Sequence, residues 1–209
     1  MFELNNLYLM DCLEGMKHFL DDYFELAIVD PPYRDENQFT KDMRINSKGQ
    51  KLGQKPDNNY FDELFRISKN QIIWGANNFS LPNYKGFVAW KKKTISEDFT
   101  MSMVEIAFIS EGLGTVSKFI EMQPQGSKKD PRIHPTQKPV ALYRWLLQNY
   151  AKKGDKILDT HVGSGSSIIA CLEEDFEYIG FEINEDYCKA ARKRIDEFKD
   201  QGRLFESAL

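Results

Sequence analysis

Gathered positive charge, long apolar runs and a cysteine framework are what this sequence most lacks. The formal net charge is −4 over 209 residues. That argues against a broad nucleic-acid footprint, because phosphate contacts need clustered Lys and Arg. No apolar run approaches the length that spans a bilayer. The opening Met1-Phe2-Glu3-Leu4 has no basic region followed by an apolar one, so no signal peptide is expected and a cytoplasmic protein is the default. Cys12, Cys171 and Cys188 are odd in number and far apart, which fits reduced thiols and no disulfide framework. His18, His134 and His161 stand alone and no Cys/His spacing resembles a zinc site, so no metal is expected. Internal repeats and low-complexity tracts are absent too. What is left, 41% hydrophobic and 29% charged, is ordinary globular composition, in a length that suits one α/β domain.

What is present is an alternation of short apolar runs and helical patterns. Strands are expected at 7–10, 24–29, 71–75, 86–90, 103–109, 156–158 and 176–181. Helices are expected at 12–19, 60–68, 139–151, 166–173 and from 184 to about 199, where Asn184 can cap. Residues 119–135 hold three prolines and little pattern, and are expected to be loop. Residues 34–59 are polar and without apolar periodicity, a length that is usually functional or mobile in a compact domain. The order of elements predicts a mostly parallel sheet covered on both faces. Local basic groups do exist. Lys91-Lys92-Lys93 and Lys128-Lys129 with Arg132 fall in expected loops after strands, where DNA contact and plain solvated surface weigh about equally.

Asp30-Pro31-Pro32-Tyr33 follows the apolar run Leu26-Ala27-Ile28-Val29. Two prolines end a strand, since neither can donate to a ladder. An acid, a rigid step and an aromatic ring are thereby presented at the carboxyl end of a strand, the edge where ligands bind in open α/β sheets. Such a group suits reaction at an exocyclic amine on a flat ring. Asp30 accepts one N–H, a carbonyl of the Pro31-Pro32 step accepts the other, and Tyr33 offers a stacking face. Taken alone, an ordinary proline turn accounts for the tetrad equally well.

Asp159-Thr160-His161-Val162-Gly163-Ser164-Gly165-Ser166-Ser167 lies between a strand and a helix. Its glycines allow close backbone approach to a ligand. A phosphate loop would need Lys at Ser166, and a dinucleotide fingerprint a small residue at Ile168. A ligand with an amino-acid end fits better, its carboxylate taking turn N–H groups at a helix start. Glu182 ends the next strand, where an acid can hold two ribose hydroxyls.

The tetrad resembles the catalytic motif of the amino-methyltransferases, which methylate adenine N6 or cytosine N4 with S-adenosylmethionine. Three further segments are similar to the same family. They are the Gly-rich turn with Glu182, His134-Pro135-Thr136-Gln137-Lys138-Pro139, and Asp11-Cys12. The family usually has Pro and Phe after the motif Asp, where this chain has Thr160 and His161. The tetrad precedes the Gly-rich turn, the order of the circularly permuted β group. The resemblance implies a Rossmann-like class I methyltransferase fold with a mostly parallel seven-stranded sheet, one strand antiparallel, and helices on both faces. It implies that Asp11, Cys12, Asp30, Thr136, Lys138, Asp159, Gly163, Ser164, Gly165, Ser166 and Glu182 hold S-adenosylmethionine, Lys138 pairing with its carboxylate. Asp30, Pro31, Pro32 and Tyr33 would be catalytic, residues 34–59 a mobile loop, and 91–132 a small target-recognition region. The substrate implied is a flipped-out adenine in double-stranded DNA. Cytosine N4 is the runner-up, since members acting there more often carry Ser in place of Asp30. A non-catalytic DNA-binding or cofactor-sensing module is the rival of another class, and a homodimer would enlarge a modest DNA-binding area.

Overall fold

The computed structural model describes residues 2–33, 55–98, 102–124, 133, 134 and 136–206, with side chains to residue 201. Within them one sheet holds eight strands in the order β1-β8-β7-β2-β3-β5-β4-β6. The strands are β1 (Asn6–Leu9), β2 (Leu26–Val29), β3 (Gln71–Trp74), β4 (Phe87–Lys92), β5 (Val104–Ile109), β6 (Lys118–Met122), β7 (Lys156–Asp159) and β8 (Glu177–Glu182). The helices are α1 (Cys12–Met16), α2 (Asn58–Ile67), α3 (Val140–Tyr150), α4 (Ser166–Glu173) and α5 (Glu185–Glu206).

β2 and β3 are buried at every position, as continuous apolar strands must be when helices cover both faces. α1 and α2 lie on one face, where Met16, Phe61 and Leu64 pack with Val29 and Ile73. α3, α4 and α5 lie on the other, where Leu146, Ile168 and Ala191 pack with Ile28 and Ile72. Caps are local. Asp57 accepts from Tyr60 N at 3.3 Å to start α2, and Asn184 Oδ1 accepts from Tyr187 N at 3.0 Å to start α5.

Every pairing is parallel except those of β5, which runs antiparallel to both β3 and β4. The expected single antiparallel strand is therefore present. The strand count is eight, one more than expected, because β6 forms in a stretch expected to be loop. β6 is an edge strand whose exposed side carries Phe119 and Glu121, and its short polar alternation gives little apolar signal. α1 stops at Met16 instead of running to Phe19. Residues 34–54 of the expected mobile loop lie outside the described residues, and its last part already belongs to α2. Among the described residues no helix is long and apolar enough to cross a membrane.

Candidate active site

The sheet decides which strand tips meet. β2 and β7 are direct parallel neighbours, with Ala27 opposite Leu158. Their carboxyl ends, bearing Asp30 and the Gly-rich turn, therefore open on the same edge. β2 leads through α2 to β3 on one side, and β7 leads through α4 to β8 on the other. Connections that diverge from adjacent strand tips leave a crevice between them, the ligand position of open α/β sheets. Beyond β7 the edge continues to Glu182, opposite Leu9, and then to Asp11.

At the β2 tip the Asp30 carboxylate is fully engaged. The Tyr33 hydroxyl donates to Oδ1 and Lys138 Nζ donates to Oδ2. Lys138 Nζ also lies 3.1 Å from Tyr33 Oη and 3.1 Å from Glu105 Oε2 of β5. Glu105 Oε1 is in turn 2.5 Å from Lys92 Nζ at the end of β4. Asp30, Lys138, Glu105 and Lys92 thus form a row of alternating charge that sums to zero. Only neutrality of this kind makes the burial tolerable, since each isolated ion would cost several kcal/mol. The Lys138 ammonium also sits 5.3 Å from the centre of the Trp74 ring. The Tyr33 ring lies against Gly75, which has a left-handed φ of 70°; a Cβ there would stand 2.2 Å from the ring.

Titration follows this geometry. Burial raises the Asp30 carboxyl above its ordinary range, with Glu105 adding to the effect against the pull of Lys138. Burial pushes Glu105 the same way, but Lys138 and Lys92 outweigh it and bring it down to about 2. Burial opposes the Lys138 charge, yet Asp30 and Glu105 together raise it. Burial holds the Tyr33 phenol far above its usual value, so it stays a donor.

The β7 tip is satisfied by near neighbours. Asp159 accepts from Ser167 Oγ and from His161 N, the latter at 2.9 Å. Burial raises its carboxyl to about 7. Glu182 Oε2 accepts from Gly163 N and Oε1 from Asn184 N, both at 2.8 Å. Gly163 and Gly165 have φ of 53° and 80°, the left-handed conformation that glycine adopts without strain. Ser164 and Ser166 turn inward, their hydroxyls 3.1 Å apart, and Arg194 of α5 donates to Ser164 O at 2.7 Å. Thr160 Oγ1 is 2.6 Å from Tyr60 Oη, and His161 Nε2 is 4.0 Å from Cys12 Sγ. Burial lowers His161 to about 4, so it is neutral at physiological pH.

The sequence-predicted residues do not all converge. Asp30, Pro31, Pro32, Tyr33, Asp159, Gly163, Gly165 and Glu182 share the carboxyl edge. Asp11 stands at the same edge but spends Oδ1 as the cap of α1, 2.8 Å from Leu13 N. Thr136 bonds His134 Nδ1 at 3.1 Å, and Lys138 faces Asp30 and Glu105 instead of standing free for a cofactor carboxylate. The lysine triplet divides. Lys91 and Lys93 are exposed, but Lys92 corrects the expectation of a DNA contact, because it is buried on the inner face of β4 and paired with Glu105. Lys128, Lys129 and Arg132 lie outside the described residues. Sequence alone does not mark Glu105 or Gly75 as site residues. A lone acid within an apolar strand was the available signal for Glu105.

The turn places glycine backbone, bare of side chains, between an acid at each neighbouring strand tip, an arrangement that suits a cofactor with an amino-acid end and a ribose. Among the described residues no cluster able to hold a metal ion occurs.

Comparison with known proteins finds methyltransferases. A family model described as DNA methylase matches residues 110–193. The type II methyltransferase M.HpaI of Haemophilus parainfluenzae is 40% identical over 68 residues, 32% of this chain and 22% of that protein, so the match spans about a fifth of that relative. The type II methyltransferase M2.MboI of Moraxella bovis is 24% identical over 92% of this chain and 88% of its own length. Among solved structures, the M1.HpyAVI–SAM complex superposes with a TM-score of 0.62 at 19% identity, covering 91% of this chain and 98% of that one.

Proposed function

We propose that this chain, which belongs to the N6/N4 DNA methylase family, transfers a methyl group from S-adenosylmethionine to N6 of adenine in double-stranded DNA. The observation that carries this is the adjacency of Asp30 and the Gly-rich turn across β2 and β7. S-adenosylmethionine supplies the methyl as an electrophilic sulfonium carbon. The chain supplies the rest. The turn at Gly163 and Gly165 offers backbone bare of side chains, and Glu182 and Asp11 mark the ribose and adenine side.

The target base must leave the helix, because its amine is out of reach inside a duplex. Its amine replaces the Tyr33 hydroxyl on Asp30, and the Pro31 carbonyl accepts the second N–H. Two fixed acceptors localise the nitrogen lone pair; with the cofactor bound, the amine would take the methyl in line as the carbon–sulfur bond breaks to leave a thioether, and the surplus amine proton would pass to solvent. Positioning and preorganised acceptors provide the acceleration. Asp at the head of the tetrad favours adenine over cytosine. The exposed Lys91 and Lys93 fit phosphate contacts, and a second copy of the chain would enlarge the DNA-facing area.

The test is tritium transfer from labelled cofactor to duplex DNA, followed by digestion to nucleosides. Label in N6-methyladenosine is the expected result. Label in N4-methylcytosine replaces adenine with cytosine as the target, and no label in DNA overturns the activity. Sedimentation on DNA tests the dimer, which a purely monomeric complex excludes.

A further inference from the structure

The buried charge row extends beyond the tetrad, into residues that neither the motif nor the family match explains. Glu105 lies on the one antiparallel strand and Lys92 on its neighbour, away from the Gly-rich turn. Yet Lys92 is buried and Glu105 partly buried beside the tetrad, and Lys138 bridges them to Asp30. The two carboxylates compete for one ammonium. Glu105 Oε2 has the Lys138 ion pair but no hydrogen-bond partner among the described residues, so Lys138 serves it less completely than it serves Asp30. Lys92 occupies the other oxygen, Oε1, and relieves the demand of Glu105 on Lys138.

We propose that Glu105 and Lys92 are positioning residues of the methyl-transfer site, acting through Lys138 to set how much of its charge and which of its hydrogen bonds reach Asp30. This rests on Asp30 being the amine acceptor. The groups that act on Asp30 are Tyr33 beside it, Lys138 before α3, Glu105 of β5, Tyr143 of α3, Tyr60 of α2 and Asp159 of β7. The tyrosines are un-ionised at working pH because burial raises each of them. Lys138 and Glu105 therefore dominate, and Asp159 is a lesser neighbour.

The direction of each substitution follows. Glu105→Gln removes an anion and leaves Lys138 to Asp30, so Asp30 ionises more easily. Lys92→Met removes a cation and returns Glu105 to Lys138, so Asp30 ionises less easily. Since the ionised carboxylate is the acceptor, activity is lost as pH falls through its midpoint. The acid limb should move down in Glu105→Gln and up in Lys92→Met, each by about one pH unit. Lys92→Arg keeps the charge and should restore the wild-type limb.

The experiment measures the pH profile of methyl transfer and, separately, the Asp30 midpoint by 13C NMR of the full chain with labelled aspartate, assigned through Asp30→Asn. Opposite shifts in the two variants, with recovery in Lys92→Arg, support the assignment. Shifts in the same direction, or none, overturn it, because mere structural damage has no reason to change sign. If Lys92→Met does not fold, the NMR midpoint of Glu105→Gln decides alone. A chain that never methylates DNA defeats the proposed activity, while the NMR midpoints still decide the coupling.

Discussion

The two adjacent strand tips, of β2 and β7, are built in opposite ways. At the β7 tip the acids are held from nearby in sequence, Asp159 by Ser167 and His161 N, and Glu182 by Gly163 N and Asn184 N, while Tyr60 and Cys12 reach only Thr160 and His161 beside them. The β2 tip is closed by side chains from distant parts of the chain. Lys138 stands 108 residues from Asp30, and Glu105 and Lys92 come from the far side of the sheet. The first tip needs a backbone that a ligand can approach, which local glycines provide. The second needs a defined charge, which in a dry site only through-space partners can fix.

Substitutions can break or sharpen this contrast. Asp30→Ala should lower methyl transfer on the order of 10³-fold while cofactor affinity stays within a few-fold, since it removes an acceptor used only in the reaction. Single-turnover tritium transfer beside calorimetric cofactor titration checks this. Lys92→Ala should cost about 3–4 kcal/mol in urea unfolding, because it strips a buried carboxylate of one of its two cations.

Asp159→Asn should do the reverse. The Asp159 carboxyl titrates at about 7 in the fold against 3.8 as an ordinary Asp. The folded chain therefore keeps a proton that the unfolded chain has released, and stability falls as pH rises between those values. The neutral variant should be more stable by roughly 4 kcal/mol at pH 8 and match wild type near pH 4, as read by thermal unfolding of the cofactor-free protein.

Gly75→Ala should lose about 1–3 kcal/mol and roughly tenfold in activity, since a left-handed residue gains a Cβ against the Tyr33 ring. Lys91→Ala, exposed and weakly paired with Glu121 at 3.4 Å, should leave stability within about 0.5 kcal/mol. It should lower the salt slope of DNA binding by about one, measured by fluorescence anisotropy.

The legibility of these features in the sequence follows the same divide. β2, β3 and β7 were visible because a strand buried on both faces is a short continuous apolar run. β6 was not, since an edge strand need satisfy only one side and can carry Lys118 and Glu121 among its apolar residues. The triplet Lys91-Lys92-Lys93 resembled one basic patch. The period of a strand splits it, and Lys92 shares the inner face of β4 with Val88 and Trp90. Lys138 stood out by its motif, but its partner could not be read, because a motif marks a position and not what faces it across the crevice.

By itself the sequence determined the two strand ends, the glycine turn and the order in which they occur, because apolar period, proline breaks and left-handed glycine are properties of neighbouring residues. Only the tertiary structure decided that Asp30, Lys138, Glu105 and Lys92 share one buried row. The free energy of a buried charge depends on what stands within a few ångströms of it, and chain order does not specify that distance.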